Sequence, residues 1–427
     1  MSRHPHLTTL FLGLALLAGC RGPSNPPPEE AISGVDLHYG GRVEFDVDAG
    51  ALDADLSARL VDESATTLAF LLHGALELAA VEGEYVTGHH VEPAPNIDTW
   101  NRIAVELGEG AAGSEIRFRY RGVIPTPESR INQISPDWVE LSVDTAWHPI
   151  VESFDRTLTY DLELGLPAGW TVVSPGTAVA IEDGYRMQTG IDMIDIPFAA
   201  APNLEEASGK RETVFHRGAS TETTDAILDA AAYCRAYLDE RFGSDRPLPD
   251  VAFALPDRPE SGYARKTFIA LTSVDPDDRV GLTRFLCHEL SHYWSTGAAP
   301  FTVDNWLNEG FAVFVAAQAC RRRYGDESWD KTLADWERRS EGQGTIWTPN
   351  DLSRRPYEIN YKKGPLALSR LEQRIGMETM DRIVTRYMTD PVDDTPTLLE
   401  LIEAESDAES RAWFVSVLAE SESASAD

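Results

Sequence analysis

The spacing of apolar residues changes once along this chain, and that change constrains the fold more than any other feature of the sequence. Between about 34 and 205, apolar residues alternate with polar ones, as at Ile116, Phe118 and Tyr120, and turns such as Pro167-Ala168-Gly169 end the runs. An apolar residue at every second position is typical of a strand with one buried face. Because no helical pattern intervenes, this segment predicts antiparallel sheets that form a sandwich or saddle.

From about 221 the apolar spacing becomes helical. The segment 221–242 places Ile227, Ala231 and Leu238 on one broad face, and Gly243 is a typical helix-ending residue. The fold class is therefore α+β, with a polar, loop-like junction near 205–220. The later predicted elements are strands at 251–255 and 267–271 and helices at about 281–296, 305–323, 364–374, 376–389 and 396–419.

The chain of 427 residues is long enough for two or three domains. Its patterns predict five consecutive parts, which are a signal peptide (1–19), a Pro-rich tether (20–33), an N-terminal β domain (34–209), a mostly helical domain (210–419) and an acidic tail (420–427).

The charge balance excludes two classes of partner. Asp and Glu number 70 against 37 Lys and Arg, which gives a formal net charge of −33. A nucleic-acid-binding protein needs basic surface to neutralise phosphates. Electrostatic attraction to an anionic membrane surface needs basic residues as well. We therefore expect no nucleic-acid partner and no electrostatic membrane binding.

The N-terminus carries the signs of export. The apolar run Leu10–Leu17 is too short to span a ~30 Å bilayer core but fits the apolar region of a signal peptide. It ends in Leu17-Ala18-Gly19-Cys20, which resembles the lipobox of bacterial lipoproteins. That resemblance implies a lipidated Cys20 and an extracytoplasmic, membrane-anchored protein in the cell envelope. An ordinary signal peptide with a chance cysteine is the alternative.

Three cysteines remain when Cys20 is set aside, namely Cys234, Cys287 and Cys320. The number is odd and no CxxC pair occurs, so a disulfide framework is excluded and at most one bridge is possible. We expect these cysteines to be small buried apolar residues.

A glycine-rich segment at 108–113 matches the pattern GxGxxG. A dinucleotide site needs a helix after this pattern, so that the pyrophosphate meets the helix N-terminus. Here Ser114–Tyr120 continues as a strand. We therefore expect a hairpin turn.

The strongest chemical signal is His-Glu-Leu-Ser-His at 288–292. Four residues advance a helix by about 6 Å and a little over one turn, so His288 and His292 share one face and can bind one Zn²⁺. Glu289 lies beside them and can take a proton from the attacking water. A buried helix with two hydrogen-bonded histidines is the structural alternative.

A third ligand is available in the next predicted helix. Glu309, in the segment Asp304–Ala312, completes a set of two histidines and one carboxylate. A catalytic zinc has three protein ligands and one open position, whereas a structural zinc has four. The pattern therefore favours a catalytic site.

These motifs resemble those of the M1 family of zinc metallopeptidases, the gluzincins that include aminopeptidase N and leukotriene A4 hydrolase. The likeness rests on 288–294 (HELSHYW), on 306–312 (WLNEGFA) and on 361–366 (YKKGPL). It implies a β saddle followed by a thermolysin-like catalytic domain, a Zn²⁺ cofactor and hydrolysis of peptide or protein substrates. It also implies that Tyr361 donates a hydrogen bond to the tetrahedral intermediate, and it makes Asp304 a candidate for orienting a histidine ligand. Capping of the helix at 305 is an equal alternative for Asp304.

One departure from the family concerns the substrate. The family's GxMEN stretch, whose Glu binds the substrate α-amine, should lie near 258–270, and there Gly262 fits while Met-Glu-Asn is absent. Glu260 is a possible replacement for that Glu. If Arg265 or Lys266 faces the site, its charge repels an α-ammonium. We expect 267–271 to be the edge strand that pairs with an extended substrate.

Three functions follow from these observations. The first is zinc-dependent hydrolysis of peptide bonds by a membrane-anchored, M1-like metallopeptidase. The second keeps the site but acts as an endopeptidase or a C-terminal-directed peptidase, with weak activity on single amino acid amides and better turnover of longer or amino-blocked peptides. The third is a non-catalytic binding protein of the cell envelope on the same scaffold.

Overall fold

The structure is a computed structural model that describes residues 36–60, 66–95, 97–154, 156–258, 262–294, 297–299, 302–351 and 353–421. The predicted signal peptide, Cys20, the tether and Glu260 lie outside these residues, as does most of the predicted acidic tail. Within the described ranges, no helix is both long and apolar enough to cross a membrane.

The first half of the chain is built of strands, as its alternating pattern predicts. In β7, Ile116, Phe118 and Tyr120 are buried while the intervening arginines are exposed. The strands of this half are β1 (Leu37–Asp46), β2 (Ala51–Leu60), β3 (Thr67–His73), β4 (Leu76–Glu82), β5 (Val86–Pro93), β6 (Trp100–Leu107), β7 (Glu115–Val123), β8 (Gln133–Ile134), β9 (Val139–Leu141), β10 (Ile150–Val151), β11 (Leu158–Gly165), β12 (Trp170–Val173), β13 (Thr177–Ile181), β14 (Gly184–Met193) and β15 (Phe198–Pro202).

These strands form three sheets. The largest has the order β13-β14-β11-β1-β2-β7-β4, and two four-stranded sheets have the orders β10-β3-β6-β5 and β12-β15-β9-β8. A core that includes Phe70, Phe118 and Trp147 fills the space between them. The pairing is antiparallel with one exception, since β1 and β11 run parallel. The expected antiparallel architecture is confirmed, and the parallel pair arises because β11 follows β10, which lies in a different sheet.

The glycine-rich segment 108–113 connects β6 to β7, and no helix follows it. The expectation of a turn is confirmed, but the expectation of a hairpin is wrong. Strand β6 lies in the β10-β3-β6-β5 sheet and β7 lies in the large sheet, so the segment crosses from one sheet to the other.

The junction near 205–220 is not a loop. It contains β16 (Glu205–Ser208) and β17 (Glu212–His216), which pair with each other and open a fourth sheet. That sheet continues through β18 (Val251–Ala254), β19 (Tyr263–Arg265) and β20 (Phe268–Ala270) in the order β16-β17-β18-β20-β19. The sheet therefore begins before the predicted domain boundary at 209. The sequence does not predict this hairpin, because β16 and β17 are short and β16 is mostly exposed, so too few apolar residues alternate with polar ones.

The helices of the second half are α1 (Thr221–Phe242), α2 (Arg279–Ser291), α3 (Asn305–Tyr324), α4 (Asp326–Ser340), α5 (Gly364–Ile375), α6 (Met377–Thr389), α7 (Thr395–Glu405) and α8 (Ala408–Leu418). The predicted helix at 396–419 is in fact two helices, because the Asp407 side chain accepts a hydrogen bond from Ser410 N and starts a new helix. Helix α4 was not predicted, since most of its residues are charged or polar and only Trp329, Leu333 and Trp336 mark its inner face.

Buried ion pairs join the two halves beside β19. The Arg258 guanidinium donates to both carboxylate oxygens of Glu140, at 2.7 and 3.2 Å, and both side chains are fully buried. Arg265 donates to the buried Asp195 at 3.2 Å. A charge that loses its partner inside a protein costs about 3–5 kcal/mol, so these pairs fix the position of β19 against the N-terminal half.

One disulfide joins α1 to α2 through Cys234 and Cys287, whose Cα atoms lie 4.9 Å apart. All three cysteines are buried, as expected, and the single bridge that the sequence allows joins Cys234 to Cys287, while Cys320 is free. Sequence could not identify the pair, because 53 residues separate its members. The bridge fixes α2 one residue before His288.

We expect the double variant Cys234→Ser/Cys287→Ser to lose about 4 kcal/mol of unfolding free energy. The bridge closes a loop between residues 53 positions apart and so lowers the conformational entropy of the unfolded chain. Denaturant unfolding with and without reductant measures this loss. Reductant should destabilise the wild type and the Cys320→Ala control but leave the double variant unchanged. A wild type that is indifferent to reductant contradicts the prediction.

Candidate metal centre

Two neighbouring helices present the predicted ligands. Helix α2 carries His288 and Glu289, His292 caps its C-terminus, and α3 carries Glu309. Buried Leu286 and Leu290 hold α2 in the core, while α3 is buried on nearly all sides. Helices with such extensive apolar contact hold their polar side chains in fixed positions, which a metal centre requires.

The three predicted ligand atoms converge. His288 Nε2 and His292 Nε2 are 3.2 Å apart, and Glu309 Oε2 lies 3.5 Å from the first and 3.6 Å from the second. A point equidistant from the three atoms lies about 2.0 Å from each, which matches the bond lengths of zinc to nitrogen and carboxylate oxygen. The donor set therefore fits Zn²⁺. Glu289 extends the cluster, since ligand atoms of His288, Glu289 and His292 lie within 4.8 Å of one another.

Glu309 Oε2 gives an independent sign that the site suits a cation. This oxygen is buried and has no hydrogen-bond partner among the described residues. Burial by itself would raise the pKa of Glu309, but the His292 and His288 imidazoles lower it well below its ordinary value. An ionised buried oxygen without a donor is costly unless a cation binds it.

Two glycines explain how α3 approaches the segment that carries Tyr361. A Cβ on Gly364 would lie 3.2 Å from the Trp306 ring and 3.7 Å from Gly310 Cα, and a Cβ on Gly310 would lie 3.3 Å from the same ring. A side chain at either position would require the Trp306 ring to move by a few tenths of an ångström, so glycine at both positions favours this close contact. Glu309, the predicted ligand, precedes Gly310 directly. The contact therefore places Glu309 beside the segment that carries Tyr361.

Tyr361 lies on a five-residue π-helical turn, Ile359–Lys363, that leads into α5. Its ring centroid is 5.7 Å from that of His288, and it stacks on Tyr357 at 4.4 Å. Burial raises the pKa of the Tyr361 phenol, and the Glu309 and Glu289 carboxylates raise it further. The phenol therefore keeps its proton near neutral pH and can donate a hydrogen bond.

Asp304 does not have its predicted capping role. It occupies the position before α3 without capping the helix through its side chain. Its carboxylate instead accepts hydrogen bonds from Thr395 N at 3.0 Å and Thr395 Oγ1 at 2.6 Å, and Trp306 Nε1 donates to the same hydroxyl. Asp304 therefore ties α3 to the start of α7. Sequence could not show this, because 91 residues separate the two partners.

The structure also changes the prediction for the positive charges of Arg265 and Lys266. Arg265 is bound to Asp195 and Asp144, and Lys266 is bound to Asp192 at 3.2 Å. Each positive charge has a carboxylate partner, which removes the physical basis for repulsion of an α-ammonium. Sequence reasoning missed these aspartates, which the N-terminal half supplies from 70 or more positions away in the chain.

The predicted edge strand is also wrong. Strand β20 lies between β18 and β19, so the outer edge of this sheet is β19. Gly262, just before β19, is a position of close backbone approach, because a Cβ there would lie 2.6 Å from Ala270 O. The match of Gly262 to the family pattern therefore has a steric reason.

Known proteins resemble this chain in parts of the sequence. No family model matches it. Aminopeptidase 2 of Candida albicans is 23% identical over 37% of the chain, and endoplasmic reticulum aminopeptidase 1 of Mus musculus is 25% identical over 42%. The matched segments cover 20% and 22% of those proteins, so the chain spans about a fifth of the length of these curated relatives.

The structural likeness extends over nearly the whole chain. An M1 zinc metallopeptidase from Deinococcus radiodurans superposes with a TM-score of 0.68 at 18% identity over 90% of this chain and 94% of that one. Yeast LTA4 hydrolase superposes with a TM-score of 0.71 at 15% identity over 97% of this chain and 73% of that one. The chain therefore has the fold of the two-domain M1 zinc metallopeptidases, with an N-terminal β domain followed by a helical domain.

We expect the purified protein to hold one Zn²⁺ per chain and the Glu309→Ala variant to lose most of it, because two imidazoles alone leave the site without a charged ligand. Metal analysis after dialysis against a weak chelator measures the loss. Glu327→Ala, on the exposed face of α4, is the matched control and should keep its zinc. A wild type that takes up no stoichiometric zinc contradicts the assignment.

Proposed function

We propose that this protein is a zinc-dependent peptidase. The observation that carries the proposal is the convergence of His288 Nε2, His292 Nε2 and Glu309 Oε2, the last of which is buried and has no hydrogen-bond donor among the described residues. Glu289 and Tyr361 lie beside these atoms. The names of the relatives, which are aminopeptidases, and the M1 fold support the same activity.

Each residue of the site has a distinct role in this proposal. Zinc, when bound, polarises the scissile carbonyl and acidifies the attacking water. Glu289 accepts the proton of that water and delivers it to the leaving amine. The Tyr361 hydroxyl donates a hydrogen bond to the oxygen on which negative charge develops.

We expect Glu289→Gln to keep its zinc and to lose about 10²–10⁴-fold in kcat, because an amide cannot accept the proton. Tyr361→Phe should lower kcat by about 10²–10³-fold. Tyr357→Phe, which keeps the stacked ring next to Tyr361, is the control and should stay near the wild-type rate. Zinc content together with peptide turnover checks all three variants. A zinc-bound wild type without turnover of any peptide favours the non-catalytic binding protein.

We further propose that the substrates are peptides with a free amino terminus. The curated relatives are aminopeptidases, and one structural neighbour is bound to a Tyr-Ser-Ala substrate. The charge argument for amino-blocked substrates is gone, since Arg265 and Lys266 are paired with aspartates. An endopeptidase or C-terminal-directed activity has no separate support in the structure.

A paired assay tests this preference. Free and amino-acetylated versions of the same short peptides should differ in kcat/KM by at least about tenfold in favour of the free amine, since a site that binds an α-ammonium discriminates against a substrate that lacks it. Equal or better cleavage of the acetylated peptides would restore the endopeptidase alternative.

We also propose that the protein is exported and lipid-anchored in the cell envelope. Leu17-Ala18-Gly19-Cys20 motivates the anchor. The Cys234–Cys287 bridge supports an oxidising compartment, because disulfides persist in exported proteins and are rare in the cytosol.

Expression with the native N-terminus tests the anchor. The Cys20→Ala variant should leave the membrane fraction or stay unprocessed, while Cys320→Ala should fractionate like the wild type. One acyl chain binds membranes only marginally, at about 10⁴ M⁻¹, so mass spectrometry of the wild type should find more than one chain. Wild type recovered only as a soluble, unlipidated species would contradict the proposal.

A further inference from the structure

Lys363 is a buried lysine next to the candidate site. Its side chain enters the protein and donates hydrogen bonds from Nζ to three backbone carbonyls, those of Gln343 at 3.1 Å, Gly344 at 2.8 Å and Glu420 at 2.7 Å. An ammonium group has three donors, and these carbonyls accept from all of them. The residue is only 7% exposed.

The three acceptors belong to two separate parts of the chain. Gln343 and Gly344 follow α4, and Glu420 follows α8. The end of α8 is fixed to the same loop, because Leu418 O accepts hydrogen bonds from the backbone N–H groups of Ile346 and Trp347. Lys363 therefore joins three segments that are far apart in sequence.

Lys363 and Tyr361 lie on the same π-helical turn, in which Gly364 N donates to Ile359 O. A π-helical turn holds one residue more than an α-helical turn and is rare, so surrounding contacts must stabilise it. If this turn relaxed to α-helical geometry, the residues before it would rotate by about 100° relative to α5. Tyr361, inside the turn, would then change its position relative to the His288 ring, which its own ring approaches to 5.7 Å between centroids.

We propose that Lys363 is a positioning residue that holds the π-helical turn, and with it the Tyr361 hydroxyl, in the orientation needed for the reaction. Its ammonium fixes the end of the turn to the loop after α4 and to the segment after α8. This inference rests on the proposed peptidase function, since it concerns the placement of the hydrogen-bond donor of that reaction.

Lys362 provides a matched control. It is the same residue type on the same turn, but its Nζ pairs with Asp335 on α4 at 3.1 Å instead of entering the carbonyl cluster. Lys363→Met and Lys362→Met therefore remove the same charge from neighbouring positions, and only the first removes the three hydrogen bonds to carbonyls.

We expect Lys363→Met to lower kcat by about 10²-fold with little change in KM, because a small misplacement of a reacting group has an effect of that size. Lys362→Met should stay near the wild-type rate, and both variants should keep their zinc. Lys363→Arg, which keeps the charge and several donors, should recover part of the loss. If Lys363→Met does not fold, Lys363→Gln, which keeps one donor group, takes its place.

A double variant separates positioning from a general structural role. If Lys363 acts through Tyr361, adding Lys363→Met to Tyr361→Phe should change kcat little, because the hydroxyl it positions is already absent. Equal fold losses in the wild-type and Tyr361→Phe backgrounds would overturn the proposal.

Hydrogen exchange of the metal-free proteins gives a readout that does not depend on activity. Lys363→Met should increase exchange of the amides in 359–364, and Lys362→Met should not. Unchanged exchange together with wild-type kcat in Lys363→Met refutes the positioning role while leaving the peptidase intact. A wild type without zinc-dependent turnover refutes the proposed function instead, and increased exchange in Lys363→Met would then show a structural role only.

Discussion

The packing of α2 against α3 is the interaction on which the rest of the structure depends. It brings two imidazoles and a carboxylate within 3.2–3.6 Å of one another, and the buried Glu309 Oε2 there has no hydrogen-bond partner among the described residues. The Cys234–Cys287 bridge fixes α2 from one side, and the contact of Gly310 with Gly364 fixes the segment of Tyr361 to α3 from the other. The site is therefore held by contacts outside its own donor atoms, as a preorganised site requires.

The N-terminal β domain contributes more than a scaffold. It supplies Glu140 to the fully buried Arg258 and Asp195 to Arg265, on either side of Gly262 and the outer strand β19. Because a buried charge that loses its partner is strongly destabilising, the two halves cannot separate here without a large cost. The outer edge at β19 is thus defined jointly by both halves, and the Arg265 and Lys266 charges beside it are paired with carboxylates of the N-terminal half.

The sequence predicted the parts of the molecule whose signal is local. Period-2 alternation identified β7, and helical spacing identified α1 to its final residue, because each pattern reports burial on one face of a single element. It failed where burial is weak, as in the charged helix α4 and the hairpin of β16 and β17, and where a polar cap divides an apolar run, as at Asp407. Pairing of β1 with β11 and the disulfide were beyond its reach, since neither has a signal in adjacent residues.

By itself, then, the sequence determined an α+β chain with a helix that presents His288, Glu289 and His292, and it named Glu309 and Tyr361 from their motifs. Helical periodicity is sufficient for the first set because His288 and His292 lie a little over one helical turn apart and therefore share one face. Only the tertiary structure decided that Glu309 Oε2 meets both imidazoles, that Asp304 binds Thr395, and that Arg265 is neutralised by Asp195. These contacts join residues 17 to 91 positions apart, and their geometry follows from how whole helices and sheets pack, which no local pattern of residues encodes.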